Sequence, residues 1–329
     1  MDTLYASFLV DFLGKPLWVW LAFLGVVVTL LALDLGVLNR RDREIGVTES
    51  LVLSAFYIAI AVLFGGWVWW SMGDEAALLY YTGYFVEKSL SLDNVFVISL
   101  IFTYFAVPRA YQHRVLFWGI LGVVVLRGVM IGAGAALIAE FHWILYLFGA
   151  FLLLTGIKML LGKDSEPDIA HNPVLTFLKR RLPVTDQFHG HKFFVSQPDA
   201  SGRIRRMATP LFLALVMVEL ADLVFAVDSV PAVFAITTDP YLVYTSNIFA
   251  VLGLRALYFA LAAMVHRFRY LKVALALVLV FIGSKIFYAE FFGKLDPLLS
   301  LSITLGLIGG GVLVSLLKTR HEERQALPG

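Results

Sequence analysis

The sequence has 329 residues, of which 60% are hydrophobic, and its mean hydropathy is +0.84. A soluble domain is about 45–50% apolar, so this composition indicates a protein that lies largely in lipid. The chain has no cysteine, which excludes disulfides, thiolate metal sites and dithiol redox chemistry within it. Its net charge of +2 gives no indication of a nucleic-acid partner.

Apolar segments of membrane-spanning length recur along the whole chain. One crossing needs about 20 apolar residues, and nine segments meet this requirement. They cover residues 17–38, 48–72, 77–106, 112–139, 142–162, 208–236, 242–266, 270–292 and 296–317. The sequence therefore predicts an all-α, polytopic membrane protein with about nine transmembrane helices.

The charges of the connecting loops predict the orientation of the chain. Arg40 and Arg43 follow the first segment, and a long basic loop at residues 163–207 follows the fifth. These basic loops alternate with loops that are not basic, such as the one that contains Asp74. Because cytoplasmic loops carry an excess of Lys and Arg, we expect the N-terminus outside and the C-terminus in the cytoplasm.

The basic loop at residues 163–207 is the one sizeable soluble piece. Its residues 172–182 predict a short amphipathic helix, and residues 198–202 predict a hairpin turn between two extended segments. Two roles are open for this loop. Either it lies on the membrane surface near anionic headgroups, or it docks a regulatory partner.

Two short stretches bring charges into segments that should cross the bilayer. Residues 87–94 read Glu-Lys-Ser-Leu-Ser-Leu-Asp-Asn, and residues 222–229 read Asp-Leu-Val-Phe-Ala-Val-Asp-Ser. Both have an acid, five residues, a second acid and then a small polar residue. A charged side chain at bilayer depth costs about 2.5–3.5 kcal/mol, so such residues mark functional sites by default. We call these segments the two acidic stretches.

The similarity between the two acidic stretches extends into a repeat of three helices. The segment Leu121–Arg127 resembles Phe249–Arg255, and Thr155–Lys158 resembles Ile282–Lys285. Each unit thus has an acidic helix, an arginine helix and a Gly-x-Lys helix. Because three crossings are an odd number, the second unit should enter the membrane from the opposite side. Many secondary transporters have such inverted repeats, with their site at the midplane between the halves.

The repeat divides the chain into five parts. They are two N-terminal helices at residues 1–76, the first unit at 77–162, the basic cytoplasmic loop at 163–207, the inverted unit at 208–292, and a final helix with a cytoplasmic tail at 293–329.

The buried ionisable groups form the candidate site. Carboxylate, amide and hydroxyl oxygens suit Mg²⁺, Ca²⁺ or Mn²⁺ rather than Cu(I) or Zn²⁺. The candidate metal ligands are Glu87, Asp93, Asn94, Glu219, Asp222, Asp228 and Ser229. The candidate counter-ions are Lys88, Arg127, Arg255, Lys158 and Lys285, and Asp34 is a possible accessory acid. The alternative is that these charges only pair with one another.

The second acid of each stretch follows the first by six residues, so on an ideal helix it points about 120° away. Asp93 and Asp228 therefore either serve a different neighbour or belong to a locally unwound helix in which the acids converge. Pro231 favours unwinding in the second unit, because its ring cannot coexist with a hydrogen bond to the Val227 carbonyl.

Several longer motifs carry a family resemblance, namely Glu87–Phe96, Phe148–Phe151, Glu219–Ala232, Thr237–Pro240 and Thr245–Ala250. In these motifs, over about residues 83–285, the sequence resembles the TerC family of bacterial integral membrane proteins, in particular its Alx-type members. The resemblance implies a nine-helix protein of the bacterial inner membrane that is linked to manganese export. It also brings older associations with tellurite resistance and membrane-bound redox modulation.

We expect a divalent-cation exporter, most of all for Mn²⁺, that exchanges the metal for protons. A buried carboxylate can hold a proton once the metal leaves, so one site can carry both. The expected partners are the metal, protons and the lipid bilayer, with protein partners unknown. No permanently bound cofactor is expected, and no catalytic or nucleotide motif indicates an enzyme. The alternative is a membrane interaction module, in tellurite or redox stress, whose buried charges are structural.

Overall fold

Helices account for most of the described chain. The computed structural model describes residues 11–33, 46–161, 169, 172–198, 204–261, 271–293 and 295–326. The helices are α1 (Leu17–Leu33), α2 (Val47–Met72), α3 (Asp74–Tyr104), α4 (Arg109–Glu140), α5 (Ile144–Leu161), α6 (Pro173–Arg181), α7 (Pro210–Phe234), α8 (Pro240–Leu252), α9 (Leu254–Leu261), α10 (Leu271–Phe292) and α11 (Pro297–Ala326). Two antiparallel hairpins accompany them, β1 (Asp11–Phe12) with β2 (Lys15–Pro16) and β3 (Phe194–Pro198) with β4 (Ile204–Ala208).

Length and composition identify the membrane-spanning helices. Within the described ranges, seven spans are long and apolar enough to cross: Thr48–Met72, Arg109–Glu140, Ile144–Leu161, Pro210–Phe234, Pro240–Ala260, Lys272–Phe292 and Pro297–Ser315. Helix α3 has 31 residues and is long enough to cross, but it carries the charges of the first acidic stretch and is not among these seven apolar spans. Helix α1 is apolar and has 17 residues. The prediction of an all-α polytopic membrane protein is confirmed, and the count of nine crossings stays a prediction.

The helix and the hairpin predicted in the basic loop are both present. Asn172 caps α6, since its Oδ1 accepts hydrogen bonds from the backbone N–H groups of Val174 at 2.9 Å and Leu175 at 3.3 Å. Strand β3 pairs with β4 in a register that sets Phe194 opposite Ala208. The sequence predicts the turn at residues 198–202. Pro198 is the last residue of β3, and residues 199–202 lie outside the described residues.

Helix α3 packs against much of the bundle, namely α2, α7, α8, α9, α10 and α11. The two predicted units pack against each other through their corresponding helices. Helix α3 of the first unit packs on α8 of the second, α7 of the second packs on α4 of the first, and α5 packs on α10. The acidic helix of each unit therefore lies against the arginine helix of the other. This exchange brings the two acidic stretches towards the same region.

A close contact between α5 and α10 has twofold symmetry. A Cβ added at Gly283 would lie 2.8 Å from the Gly149 carbonyl oxygen, and one added at Gly156 would lie 2.8 Å from the Ala276 carbonyl oxygen. Gly283 follows Gly156 by 127 positions, as Ala276 follows Gly149. The two contacts therefore join corresponding positions of the two helices, with the roles of α5 and α10 reversed. Small residues at these positions let the helix backbones approach closely.

The same contact shows the relative direction of the two helices. Earlier residues of α5 meet later residues of α10, as Gly149 meets Gly283, so the helices are antiparallel. A twofold axis that relates two antiparallel helices runs across them rather than along them. This is the axis that an inverted repeat in a membrane requires.

Aromatic rings fill the end of the bundle at which α1, α3 and α8 begin. Phe23 contacts Phe64, Tyr241, Tyr244 and Phe249, with ring centroids 5.5–6.3 Å apart. Most of these pairs are edge-to-face, which is a favourable arrangement of aromatic quadrupoles. In the predicted orientation this end faces the outside.

We predict that Gly283→Ala destabilises the bundle, because the new methyl group would meet the Gly149 carbonyl, a backbone atom that cannot move alone. Overpacking of this kind costs about 1–3 kcal/mol. The matched control is Gly306→Ala in α11, where nothing lies within 4 Å. Alanine at that site should gain about 0.5–1 kcal/mol over glycine. Thermal unfolding in detergent measures both variants, and equal melting temperatures would contradict the close contact.

Candidate ion-binding site

One buried arginine lies at the centre of the predicted site. Arg127 on α4 has an exposed fraction of 0%. Its Nη1 donates to Glu87 Oε1 on α3, while Nε and Nη2 donate to the two carboxylate oxygens of Asp222 on α7, at 3.3 and 3.1 Å. The guanidinium thus forms ion pairs with both acids, and the pair with Asp222 is bidentate. The first acids of the two acidic stretches are therefore neighbours in space.

Two uncharged groups complete the surroundings of the guanidinium. Nη1 also donates to Asn247 Oδ1 on α8 at 2.6 Å, and it lies 3.4 Å from Ser229 Oγ on α7. These side chains are buried, as are Glu87 and Asp222. One cation is therefore enclosed by oxygen atoms from three other helices. A buried charge needs such partners, because its desolvation is otherwise uncompensated.

A cavity of about 110 Å³ adjoins the arginine. Its polar lining comes from Glu87, Asn94, Arg127, Asp228 and Ser229. Among the described residues, Glu87 Oε2 is buried and has no hydrogen-bond partner. The cavity is larger than the space that one water molecule needs. It therefore has room for a small hydrated cation next to Glu87, whose Oε2 has no hydrogen-bond partner among the described groups.

A second, smaller cavity of about 30 Å³ lies on the other side of Asn94 and Phe225, which line both. Asp222 contributes to its wall, which is otherwise mostly apolar and includes Leu116 and Val218. These last two residues lie in the first halves of α4 and α7, which begin at the predicted cytoplasmic side. The smaller cavity thus lies on the cytoplasmic side of the arginine in the predicted orientation.

The two aspartates of the second acidic stretch face different surroundings. Helix α7 is continuous from Pro210 to Phe234 and includes Pro231. Local unwinding, one of the two explanations offered above, is therefore wrong for α7. Asp222 binds Arg127, whereas Asp228 lines the larger cavity. The second acid serves a different neighbour because helical geometry turns it away from the first.

Glu219 lies apart from the guanidinium. It is half-buried, one turn before Asp222 on α7. Its carboxylate lies against Gly122 on α4, in the space that a side chain at that position would fill. Neither of the two cavities has Glu219 in its lining.

A one-residue interruption divides the arginine helix of the second unit. Helix α8 ends at Leu252 and α9 begins at Leu254, with Gly253 between them. Lys88 reaches this break from α3, where its Nζ donates to the Ala250 carbonyl oxygen at 3.1 Å. A Cβ on Gly253 would lie 2.7 Å from that Nζ. Sequence reasoning missed the break, and a glycine inside an apolar segment was its only local signal.

The predicted counter-ions do not all meet the acids. Lys285 Nζ donates to Ser300 Oγ on α11 at 3.1 Å. Lys158 is exposed, contrary to the prediction of a buried position, but it is close enough to Asp228 to interact with that carboxylate electrostatically. Within the described side chains, Arg127 is the one predicted counter-ion that forms ion pairs with predicted metal ligands.

Three predicted site residues lie wholly or partly outside the described structure. Asp34 belongs to residues 34–45, which are outside it. Asp93 and Arg255 lie within helices, but their side chains are also outside the description. Their roles stay predictions.

One residue that contacts the central arginine was not among the predicted site residues. Asn247 is fully buried on α8 and accepts a hydrogen bond from Arg127. Its signal was a run of polar residues, Thr245–Asn247, inside an otherwise apolar helix.

The described residues contain no group of three or more His, Asp or Glu side chains that could hold a metal ion. Glu87 and Asp222 are instead held apart on one guanidinium. The predicted ligands that line the larger cavity are Glu87, Asn94, Asp228 and Ser229. Two carboxylates, an amide and a hydroxyl are hard donors, and a small divalent cation binds such groups together with retained waters.

The protein is a helical bundle with apolar spans of membrane length and a buried ionic cluster. These features define a polytopic integral membrane protein. The model of the family described as "Integral membrane protein TerC family" matches residues 72–325. The chain therefore belongs to the TerC family, as its motifs predicted. No solved structure matches the chain significantly.

Relatives of similar length occur in several bacteria. An "Uncharacterized membrane protein STKORF319" of Myxococcus xanthus is 47% identical over 308 residues, which are 94% of each chain. A protein of Escherichia coli K12 named "Putative membrane-bound redox modulator Alx" is 43% identical over 326 residues, 95% of this chain and 98% of its own. An "Uncharacterized membrane protein" of Rickettsia bellii is 44% identical over 306 residues, 93% of this chain and 99% of its own.

We predict that Arg127→Gln lowers the thermal stability of the metal-free protein. Removal of one partner from a buried ion pair costs about 3–5 kcal/mol, because it leaves the other charges uncompensated. The matched control is Arg180→Gln on α6, an exposed position that should change stability little. Melting temperatures in detergent without metal measure both variants. A normal melting temperature for Arg127→Gln would mean that the cluster does not stabilise the fold.

Proposed function

We propose that the protein exports divalent cations, Mn²⁺ above others, from the cytoplasm in exchange for protons. The observation that carries this proposal is the convergence of Glu87 and Asp222 on one buried cation. These acids stand at equivalent positions of two similar three-helix units, and transporters with inverted repeats bind their ions between the units. We further propose that the protein lies in the bacterial inner membrane with its N-terminus outside and its C-terminus in the cytoplasm.

The donor set supports a hard divalent cation. Oxygen atoms surround Arg127, and those of Glu87, Asn94, Asp228 and Ser229 form the polar part of the larger cavity's lining, beside apolar residues such as Leu90 and Met159. Among the described residues, no histidine lines either cavity. Carboxylate and carbonyl oxygens suit Mg²⁺, Ca²⁺ and Mn²⁺. Two carboxylates, Glu87 and Asp228, line the cavity of about 110 Å³, so the metal can bind there while it keeps part of its hydration shell.

The same carboxylates support exchange for protons. Metal binding needs ionised ligands and releases any protons that they hold. A carboxylate in a low-dielectric site also favours a bound proton when no cation is near. We propose that Glu87 and Asp222 carry the metal, and that Asp93 and Asp228 either complete its shell or accept the proton.

A second candidate function is a membrane interaction module. The observation that favours it is the surface of the basic loop, where Phe177 is 58% exposed and Ile204 is 78% exposed near basic side chains. The name of the Escherichia coli relative refers to redox modulation. A chain without cysteine has no thiol pair to oxidise, so a redox role of this chain would be indirect. We therefore rank this function second.

We predict that Glu87→Gln or Asp222→Asn reduces Mn²⁺ flux in proteoliposomes to that of protein-free liposomes. Either change removes one of the two charges that draw a cation to the site. The matched control is Glu75→Gln, an exposed acid in the first turn of α3, which should keep normal flux. Elution on size exclusion checks that each variant is folded. Normal flux by a folded Glu87→Gln or Asp222→Asn variant would remove that residue from the site.

We predict that acid at the cytoplasmic face weakens Mn²⁺ capture. Protons and the metal compete for the same oxygens, so a lower pH raises the apparent dissociation constant for the metal. The measurement is Mn²⁺ flux across vesicles whose two faces are buffered independently. An apparent affinity that stays flat between about pH 6 and 8.5 would show that the metal does not compete with protons. Proton exchange would then be dropped from the mechanism.

A further inference from the structure

We propose that Arg127 is a resident cation of the transport site, so that a metal ion must displace its guanidinium in order to bind Glu87 and Asp222 together. This inference rests on the proposed function and says which group binds the acids when no metal is present. It makes Arg127 a positioning residue, because Arg127 contacts the predicted metal ligands. The empty and the loaded site would then differ in which cation the two acids hold.

The first argument concerns shared atoms. The guanidinium binds Glu87 Oε1, both carboxylate oxygens of Asp222, and Asn247 Oδ1, and it lies near Ser229 Oγ. Three of these four side chains are predicted metal ligands. An oxygen lone pair directed at an N–H group is not available to a metal. A metal that bridges both acids through these oxygens therefore competes with the arginine for them.

The second argument concerns charge. Two ionised carboxylates close together in a low-dielectric medium repel strongly, and a cation between them removes that repulsion. Arg127 supplies this positive charge from within the protein, since arginine stays protonated under all ordinary conditions. A divalent cation supplies more charge to the same oxygens. The guanidinium in the empty site and the metal in the loaded site therefore both neutralise the repulsion between the two carboxylates.

The third argument concerns space. A structural ion pair in a tightly packed core has no free volume beside it, whereas Arg127 and Glu87 both line the cavity of about 110 Å³. Among the described residues, Glu87 Oε2 has no hydrogen-bond partner, while Glu87 Oε1 binds the arginine. The Glu87 carboxylate thus has one oxygen that binds the guanidinium and another that has no hydrogen-bond partner among the described groups. A metal can bind the open oxygen first and then compete for the rest.

Displacement has a measurable consequence. When the binding-competent state is only a fraction of the population, the apparent dissociation constant is raised by the inverse of that fraction. Here the binding-competent state is the one in which the guanidinium has left the two acids. Removal of Arg127 makes this state the dominant one. The variant should then bind Mn²⁺ more tightly than the wild type, by about tenfold or more if that fraction is a tenth or less. A purely structural arginine predicts weaker binding or no change.

The test is equilibrium binding of Mn²⁺, added as its chloride, to the full-length protein in detergent. Wild type, Arg127→Gln and Arg127→Lys are compared, with Arg180→Gln as the matched surface control. We expect the tightest binding for Arg127→Gln, an intermediate dissociation constant for Arg127→Lys, and the wild-type value for the control. Lysine keeps one charge but lacks the planar fork that holds both acids. Mn²⁺ should also raise the melting temperature of Arg127→Gln more than that of the wild type.

The outcomes separate this inference from the proposed function. If Arg127→Gln does not fold, Arg127→Lys carries the test, and tighter binding by that variant alone supports displacement. Equal or weaker binding by both arginine variants, beside normal binding and flux of the wild type, overturns the inference and leaves the proposed function intact. Failure of the wild type to bind or transport Mn²⁺ overturns both.

Discussion

The ion cluster of Arg127 with Glu87 and Asp222 is the constraint on which the arrangement of the bundle depends. Each of these charges would be costly alone at bilayer depth, and each becomes tolerable because the others surround it. The three side chains come from α4, α3 and α7, so their contact fixes how the two units meet. It also explains how α3 can carry a charged stretch through a bundle of apolar helices.

The two units resemble each other in sequence, but their helices differ in conformation. The close contact of α5 with α10 is the same when the units are exchanged. The arginine helices differ, because α4 is continuous whereas its counterpart breaks at Gly253. Aromatic rings pack around Phe23 at one end of the bundle, and a small cavity lies towards the other. In the proposed transport function, alternating access would move one unit against the other around the site between them.

Sequence reasoning succeeded where the signal was local. Apolar runs predicted the long helices, and the amphipathic pattern of residues 172–182 predicted α6. It could not tell which base would bind which acid, because pairing depends on the rotation and packing of helices that are distant in sequence. Pro231 suggested unwinding, yet α7 stays helical, because a membrane helix can lose the one hydrogen bond to the Val227 carbonyl and continue. Gly253 gave no clear warning, because glycine is common in membrane helices.

Transport by the purified wild-type protein tests the central claim most directly. Proteoliposomes loaded with a metal-sensitive dye would be exposed in turn to Mn²⁺, Mg²⁺ and Ca²⁺, and a second batch to tellurite with its uptake measured by elemental analysis, each beside protein-free liposomes. We expect saturable entry of Mn²⁺ that the other divalent ions compete for, and no entry of tellurite, because ionised carboxylates repel an oxyanion. Folded protein that carries no divalent cation at any concentration tested would contradict the export function and leave the cluster a structural device.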